Sequence, residues 1–145
     1  MRELPRQLTA EQLTELFESR SEFVERLAAT QNPLEHAREV ARALSDREKR
    51  DLLEAHPPIG GAPTSERSRL EQGTDDDPAV LAELAELNRA YEEKFGFRFV
   101  VFVNRRPRRE IVPILRERLD RTREQELETA VDELVQIAID RWRSS

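Results

Sequence analysis

Apolar residues recur mostly three and four positions apart along this chain, the spacing that puts them on one face of a helix. Leu13, Leu16 and Phe17 form the first such set. They follow Thr9-Ala10-Glu11-Gln12, a capping box that marks a helix start. Phe23, Val24 and Leu27 predict a second short helix. Asn32-Pro33 pairs a capping residue with a first-turn proline, and Leu34, Ala37, Val40, Ala41 and Leu44 follow on one stripe. Ser45-Asp46-Arg47-Glu48 is another capping box, whose helix is expected to end at about Ala55. Paired prolines and paired glycines then predict a loop over 56–66, followed by a short helical piece around 68–72 that stops at Gly73.

The second half reads the same way. Asp77 caps a helix with Pro78 in its first turn, and the acidic run 75–77 suits the positive end of the helix dipole. Leu81, Leu84, Asn88, Tyr91 and Phe95 line one face, and Gly96 is the stop. Residues 97–103, Phe-Arg-Phe-Val-Val-Phe-Val, form the one β-like run. With no second strand to pair with, it predicts an extended segment threading a helical core. A turn over 104–109 leads to a helix over 110–120 with Pro113 near its first turn. Thr122-Arg123-Glu124-Gln125 caps the last helix, which carries Leu127, Ala130, Val131, Leu134, Ile137 and Ala138. The expected fold is all-α: one compact domain over 1–145, with seven or eight short helices and one extended segment at 97–103.

Composition sharpens this picture. A chain of 145 residues has room for one domain with a real core. Charged residues make up 37%, against about 25% in an average soluble domain, yet the net charge is only −6. Both signs are interspersed, which excludes the signature of disorder and points to helices with solvated faces. No apolar run approaches the roughly 20 residues of a membrane span, and the N-terminus has no signal-peptide core. These features lead to the expectation of a cytoplasmic protein. The absence of cysteine excludes disulfides and thiolate chemistry, and with only His36 and His56 a multi-histidine metal site is excluded. The four glycines form no phosphate-binding loop. The acidic balance argues against nucleic acid as a partner.

Three places depart from a plain amphipathic bundle. His56 stands at a helix end, followed by the rigid Pro57-Pro58. The negative end of the helix dipole favours its cation there, and imidazole titrates near neutral pH. It is read either as a helix cap or as a proton donor. Ser68, Glu71 and Gln72 share one face of a helical turn and offer a hydroxyl, a carboxylate and an amide together. Such a set either is solvated or fixes the tautomer of a urea-like ligand. Arg141 continues the stripe of Leu134, Ile137 and Ala138. A guanidinium there either snorkels to water or meets a buried anion. His36 beside its stripe reads as structural or exposed, and the arginine-rich 104–109 as a solvated turn.

Taken in order, His56-Pro57-Pro58-Ile59-Gly60, Ser-x-x-Glu-Gln at 68–72, Leu-Asn-x-x-Tyr-x-x-Lys-Phe-Gly-Phe-x-Phe-Val at 87–100 and Ile-Ala-x-x-Arg at 137–141 resemble the OHCU decarboxylase family. OHCU is 2-oxo-4-hydroxy-4-carboxy-5-ureidoimidazoline, the intermediate between urate and allantoin. The resemblance implies a cofactor-free, all-helical lyase with no metal, typically a homodimer, that converts OHCU to (S)-allantoin. It implies that His56 is the catalytic acid/base and that Glu71 is the carboxylate acting beside it. By the same resemblance Pro57, Ser68, Gln72 and Arg141 line the pocket. Backbone groups of Phe99, Val100, Val101, Phe102 and Val103 would meet the ureido and ring atoms. Pro58-Ile59-Gly60 departs from the Asp-Leu-Ala or Arg-Ile-Gly of many relatives, which alters the lip of the loop and not a catalytic position. The chain ends Arg-Ser-Ser, without the peroxisomal Ser-Lys-Leu of many eukaryotic members. The alternative is an inactive ligand-binding or interaction module of the same fold.

Overall fold

The computed structural model describes residues 3–56 and 77–144. Their regular structure is helical: α1 (Ala10–Phe17), α2 (Glu22–Ala28), α3 (Pro33–Arg42), α4 (Asp46–Glu54), α5 (Pro78–Phe95), α6 (Arg108–Leu119) and α7 (Arg123–Ser144). No strand occurs among the described residues, so the fold is all-α as the pattern predicts. The helical piece expected around 68–72 and most of the loop before it lie outside the described residues.

Local chemistry sets most of these boundaries. Thr9 and Gln12 exchange side-chain and backbone hydrogen bonds at 3.1 and 2.9 Å. Ser45 and Glu48 do the same at 3.1 Å in both directions, and Thr122 and Gln125 at 3.1 and 3.2 Å. Asp77 Oδ1 accepts from the Ala79 N–H at 2.9 Å. Gly96 ends α5 at φ 79°, where a Cβ would be strained, and its N–H donates to Glu92 O.

Two starts differ from expectation. Asn32 is left-handed (φ 53°, ψ 55°) and makes no side-chain cap bond. Its backbone N–H donates to Arg6 O at 2.8 Å, a tertiary contact in a conformation asparagine tolerates. Helix α6 starts at Arg108, directly after Pro107, so Pro113 lies inside the helix and not in its first turn. The missing N–H of Pro113 forfeits the bond to the Arg109 carbonyl.

The chain divides into two compact units. The first holds the described residues 3–56 and 127–144. There α1 packs on α2 and α2 on α3. Phe17 meets Phe23 edge-on at 5.0 Å, both fully enclosed. Arg42 pairs with Asp132 at 2.5 Å and Arg38 donates to Gln136 at 2.9 Å, which fastens α3 to α7. Trp142 Nε1 donates to Glu3 O at 2.8 Å and holds down the N-terminal segment.

The second unit holds the described residues 77–126. Helix α5 packs on α6. Residues 98–103 adopt neither helix nor strand, yet Phe99, Val100, Val101 and Val103 are buried. A non-helical run in an apolar interior needs partners for its polar backbone. Arg118 supplies one: its Nη1 donates to Val100 O at 2.7 Å, and its guanidinium lies 4.6 Å from the centre of the Phe99 ring. The buried charge is met by Glu126, also buried, which accepts from Arg118 Nε at 2.7 Å, from Tyr91 Oη at 2.6 Å and from Arg121 Nη1 at 3.0 Å. Arg106 holds the end of the run, donating to Phe102 O at 2.6 Å and Val103 O at 2.9 Å. The Tyr91 ring packs between Phe95 at 4.6 Å and Phe99 at 5.2 Å.

Two predictions follow from this packing. Phe17→Ala is expected to cost about 3–5 kcal/mol by urea unfolding, against about 1 kcal/mol for Ser45→Ala at the α4 cap. Burial, with the bond to Glu126 adding and the Arg118 charge opposing, raises the Tyr91 phenol far above its ordinary value of 10. A group raised in the folded state contributes stability that is complete below its unfolded pKa and is lost as pH climbs beyond it. Stability is therefore expected to fall above pH 10, where only the unfolded chain ionises. Tyr91 is the sole tyrosine, so the phenolate absorbance band reports it alone. That band should emerge together with loss of helical circular dichroism, and Tyr91→Phe should flatten the alkaline fall.

Candidate active site

The first unit carries the candidate side chains His56 and Arg141. His56 follows the last turn of α4, and its N–H donates to Leu53 O at 3.1 Å. That bond closes the helix and leaves the imidazole to turn inward. The side chain is 12% exposed, and its Nδ1 stands 3.9 Å from Glu18 Oε2. Arg141, two turns after Leu134 on α7, is 1% exposed. The snorkelling alternative for it is thereby excluded. Its Nη1 donates to Leu16 O at 2.7 Å, satisfying a carbonyl in the last turn of α1. Its Nη2 stands 3.5 Å from Glu18 Oε1. His56 and Arg141 thus converge on the two oxygens of one carboxylate.

Glu18 was not among the candidates read from the sequence. It occupies the C-cap of α1 in a left-handed conformation, φ 58° and ψ 21°. Glycine is the usual residue there, and an acid at a helix C-terminus opposes the dipole. A glutamate where glycine is expected was the available signal. The other unforeseen groups, Arg118 and Glu126, fall in register with apolar stripes, Arg118 with Ile111 and Leu115 and Glu126 with Ala130 and Leu134.

Among the other expected site residues, Phe99, Val100, Val101, Phe102 and Val103 lie in the second unit, where arginines hold the carbonyls of Val100, Phe102 and Val103. A carbonyl has two lone pairs, so such an oxygen can accept a second bond. Pro57, Ser68, Glu71 and Gln72 lie outside the described residues. No cluster of three or more His, Asp or Glu side chains suited to a metal occurs among the described residues. No described helix is long and apolar enough to cross a membrane.

Chemically, a histidine and a buried guanidinium that face one carboxylate can hold an anionic group and move a proton beside it. Known proteins resemble this chain as a whole. The uric acid degradation bifunctional protein of Bacillus sp. is 32% identical over 110 residues, covering 70% of this chain and 21% of that protein. The 2-oxo-4-hydroxy-4-carboxy-5-ureidoimidazoline decarboxylase of Halalkalicoccus jeotgali is 31% identical over 99 residues, 65% of this chain and 56% of that one. The chain thus spans between a fifth and just over half the length of these relatives. A crystal structure of OHCU decarboxylase in the presence of (S)-allantoin superposes with a TM-score of 0.77 at 28% identity, covering 92% of this chain and 95% of the other. The OHCU decarboxylase family model matches residues 2–143, nearly the whole sequence, and the chain belongs to the OHCU decarboxylase family.

Proposed function

We propose that this chain decarboxylates OHCU to (S)-allantoin, with His56 as the general acid/base, and that it works without a cofactor as a cytoplasmic homodimer. The observation that carries the reading is the convergence of His56 and Arg141 on Glu18 in a chain of this family. The likeness to a decarboxylase studied in the presence of (S)-allantoin supports the choice of product. The dimer and the compartment rest on the family resemblance.

The substrate carries a carboxylate and a hydroxyl on one ring carbon, beside a ring C=N. As the carbon–carboxylate bond breaks, CO₂ leaves and the bond electrons move into that C=N. The substrate is its own electron sink, so the protein's work is to orient the carboxylate, stabilise the enol-like intermediate and deliver one proton to one face. An imidazole whose pKa lies near the working pH suits the delivery. The Arg141 fork suits an anionic oxygen. Glu71 would hold the imidazole or accept from the ureido group. Ser68 and Gln72, with Pro57 beside them and the backbone of Phe99, Val100, Val101, Phe102 and Val103, would fix the ureido tautomer, acting as positioned donors and acceptors.

The test generates OHCU from urate in situ, adds the chain and follows optical rotation. Rapid appearance of one allantoin enantiomer is expected, whereas racemic product at the uncatalysed rate would mean an inactive module. His56→Asn should lower the stereospecific rate by roughly 10²–10⁴-fold with circular dichroism unchanged. Arg141→Lys keeps the charge and loses the fork, so affinity for (S)-allantoin in calorimetry should drop roughly ten- to a hundredfold.

A further inference from the structure

We propose that Glu18 is a positioning residue for the proton transfer, holding the His56 imidazole through Nδ1 and the Arg141 guanidinium through Nη2 so that both meet the substrate in fixed orientation. The inference rests on the decarboxylase reading and gives Glu18 a role that reading leaves unassigned.

Four observations converge on it. First, Glu18 breaks two local rules at once. It sits at φ 58°, where L-residues other than glycine are strained by roughly 1–3 kcal/mol, and it puts a negative charge at the negative end of α1. Such conflicts cluster where function requires a residue that local stability would not choose. Second, the neighbouring acids behave differently. Glu11 and Glu25 pair with exposed Arg20, and Glu22 with exposed Arg26. Glu18 turns inward instead, 13% exposed. Third, its two oxygens divide between two basic side chains from different elements: Oε1 is 3.5 Å from Arg141 on α7, and Oε2 is 3.9 Å from His56 after α4. Fourth, Arg141 also grips the Leu16 carbonyl, two residues before Glu18, so the backbone that aims the carboxylate is itself held.

The chemistry follows from which ring nitrogen is engaged. With Nδ1 facing the carboxylate, the proton on Nδ1 is favoured there, and Nε2 is the nitrogen that exchanges a proton with substrate. Glu18 does not take that proton. A negative charge beside an imidazole favours its cationic form, and the Arg141 guanidinium faces the other oxygen of the same carboxylate.

The test compares Glu18→Gln with wild type in the full chain. The amide keeps the shape and an acceptor oxygen but loses the charge. We expect kcat for OHCU to fall roughly tenfold or more while KM changes by less than about threefold. The chain has two histidines, so the ring signals of His56 can be followed by NMR beside those of His36. In Glu18→Gln the His56 midpoint should move to lower pH by about half a unit or more, with His36 unmoved. Glu11→Gln, on the exposed pair with Arg20, is the control and should leave turnover and both titrations as they are. Wild-type kcat with an unmoved His56 titration in Glu18→Gln would overturn the proposal. If that variant does not fold, Glu18→Asp, which keeps the charge one methylene short, should give a kcat severalfold below wild type; a wild-type kcat there would likewise overturn it. If wild type itself turns over no OHCU, the decarboxylase reading fails, and the His56 titration still decides whether Glu18 holds the ring.

Discussion

A buried guanidinium cannot shed its charge, so it dictates what surrounds it. Arg141 and Arg118 are both within a few per cent of complete burial, each in its own unit. Each solves the problem in the same way, donating one N–H to a main-chain carbonyl at 2.7 Å and turning another toward a carboxylate. Arg141 fixes the end of α1 through Leu16, and Arg118 fixes the non-helical run through Val100. Replacing such a cluster by packed hydrocarbon is often neutral or stabilising, whereas removing one partner costs roughly 3–5 kcal/mol. The return on these clusters is therefore geometric. In the first unit the backbone they hold is the last turn of α1, just before Glu18, and in the second it is a run that neither helix nor sheet would hold.

The helices were legible because their ends are local. Thr9, Ser45, Asp77 and Thr122 each satisfy an orphan N–H from within three residues, and Gly96 supplies the one left-handed angle that α5 needs to stop. Where a boundary depends on tertiary contact, sequence reasoning fails. Asn32 starts α3 in a left-handed conformation and without a side-chain cap bond, and its backbone N–H goes to Arg6, far back in the chain. Helix α6 starts without any side-chain cap, so no local signal marks Arg108, and the pattern alone places Pro113 near the first turn. The run 97–103 was legible in composition but not in cause: nothing local shows that Arg118 and Arg106 hold its carbonyls.

The candidate site was half legible in the same sense. Counting along the stripe of α7 places Arg141 among apolar neighbours, and the same count continued backward reaches Ala130 and then Glu126. A charge in register with an apolar stripe is informative wherever it falls, and Arg118 on α6 obeys the same rule. Glu18 needed a different test. It lies one residue past the stripe of α1, and only the absence of glycine at a helix end marks it. Its partners are separated from it by 38 and 123 residues, a pairing no local pattern encodes. His56 was ambiguous between cap and acid, and its backbone closes α4 while its side chain faces Glu18, so the two readings were never exclusive.

The preference for arginine, 22 against 2 lysines, takes on meaning at this point. On the surface, pairs such as Arg26 with Glu22 or Arg50 with Asp46 sit one helical turn apart, and each contributes only a few tenths of a kcal/mol. Lysine would serve nearly as well there. Inside, it would not. Arg106 donates to two successive carbonyls, Phe102 and Val103. Arg123 donates to the Phe95 carbonyl while its guanidinium lies 5.5 Å from the Phe97 ring. Arg118 bridges a carbonyl, a carboxylate and an aromatic face. A lysine ammonium is a compact, strongly hydrated charge and cannot span these partners in one plane. In a chain whose polar backbone leaves the helix at 98–103, planar multidentate donors do the work that a neighbouring strand does elsewhere. That requirement gives the arginine bias a structural cause independent of any anionic ligand.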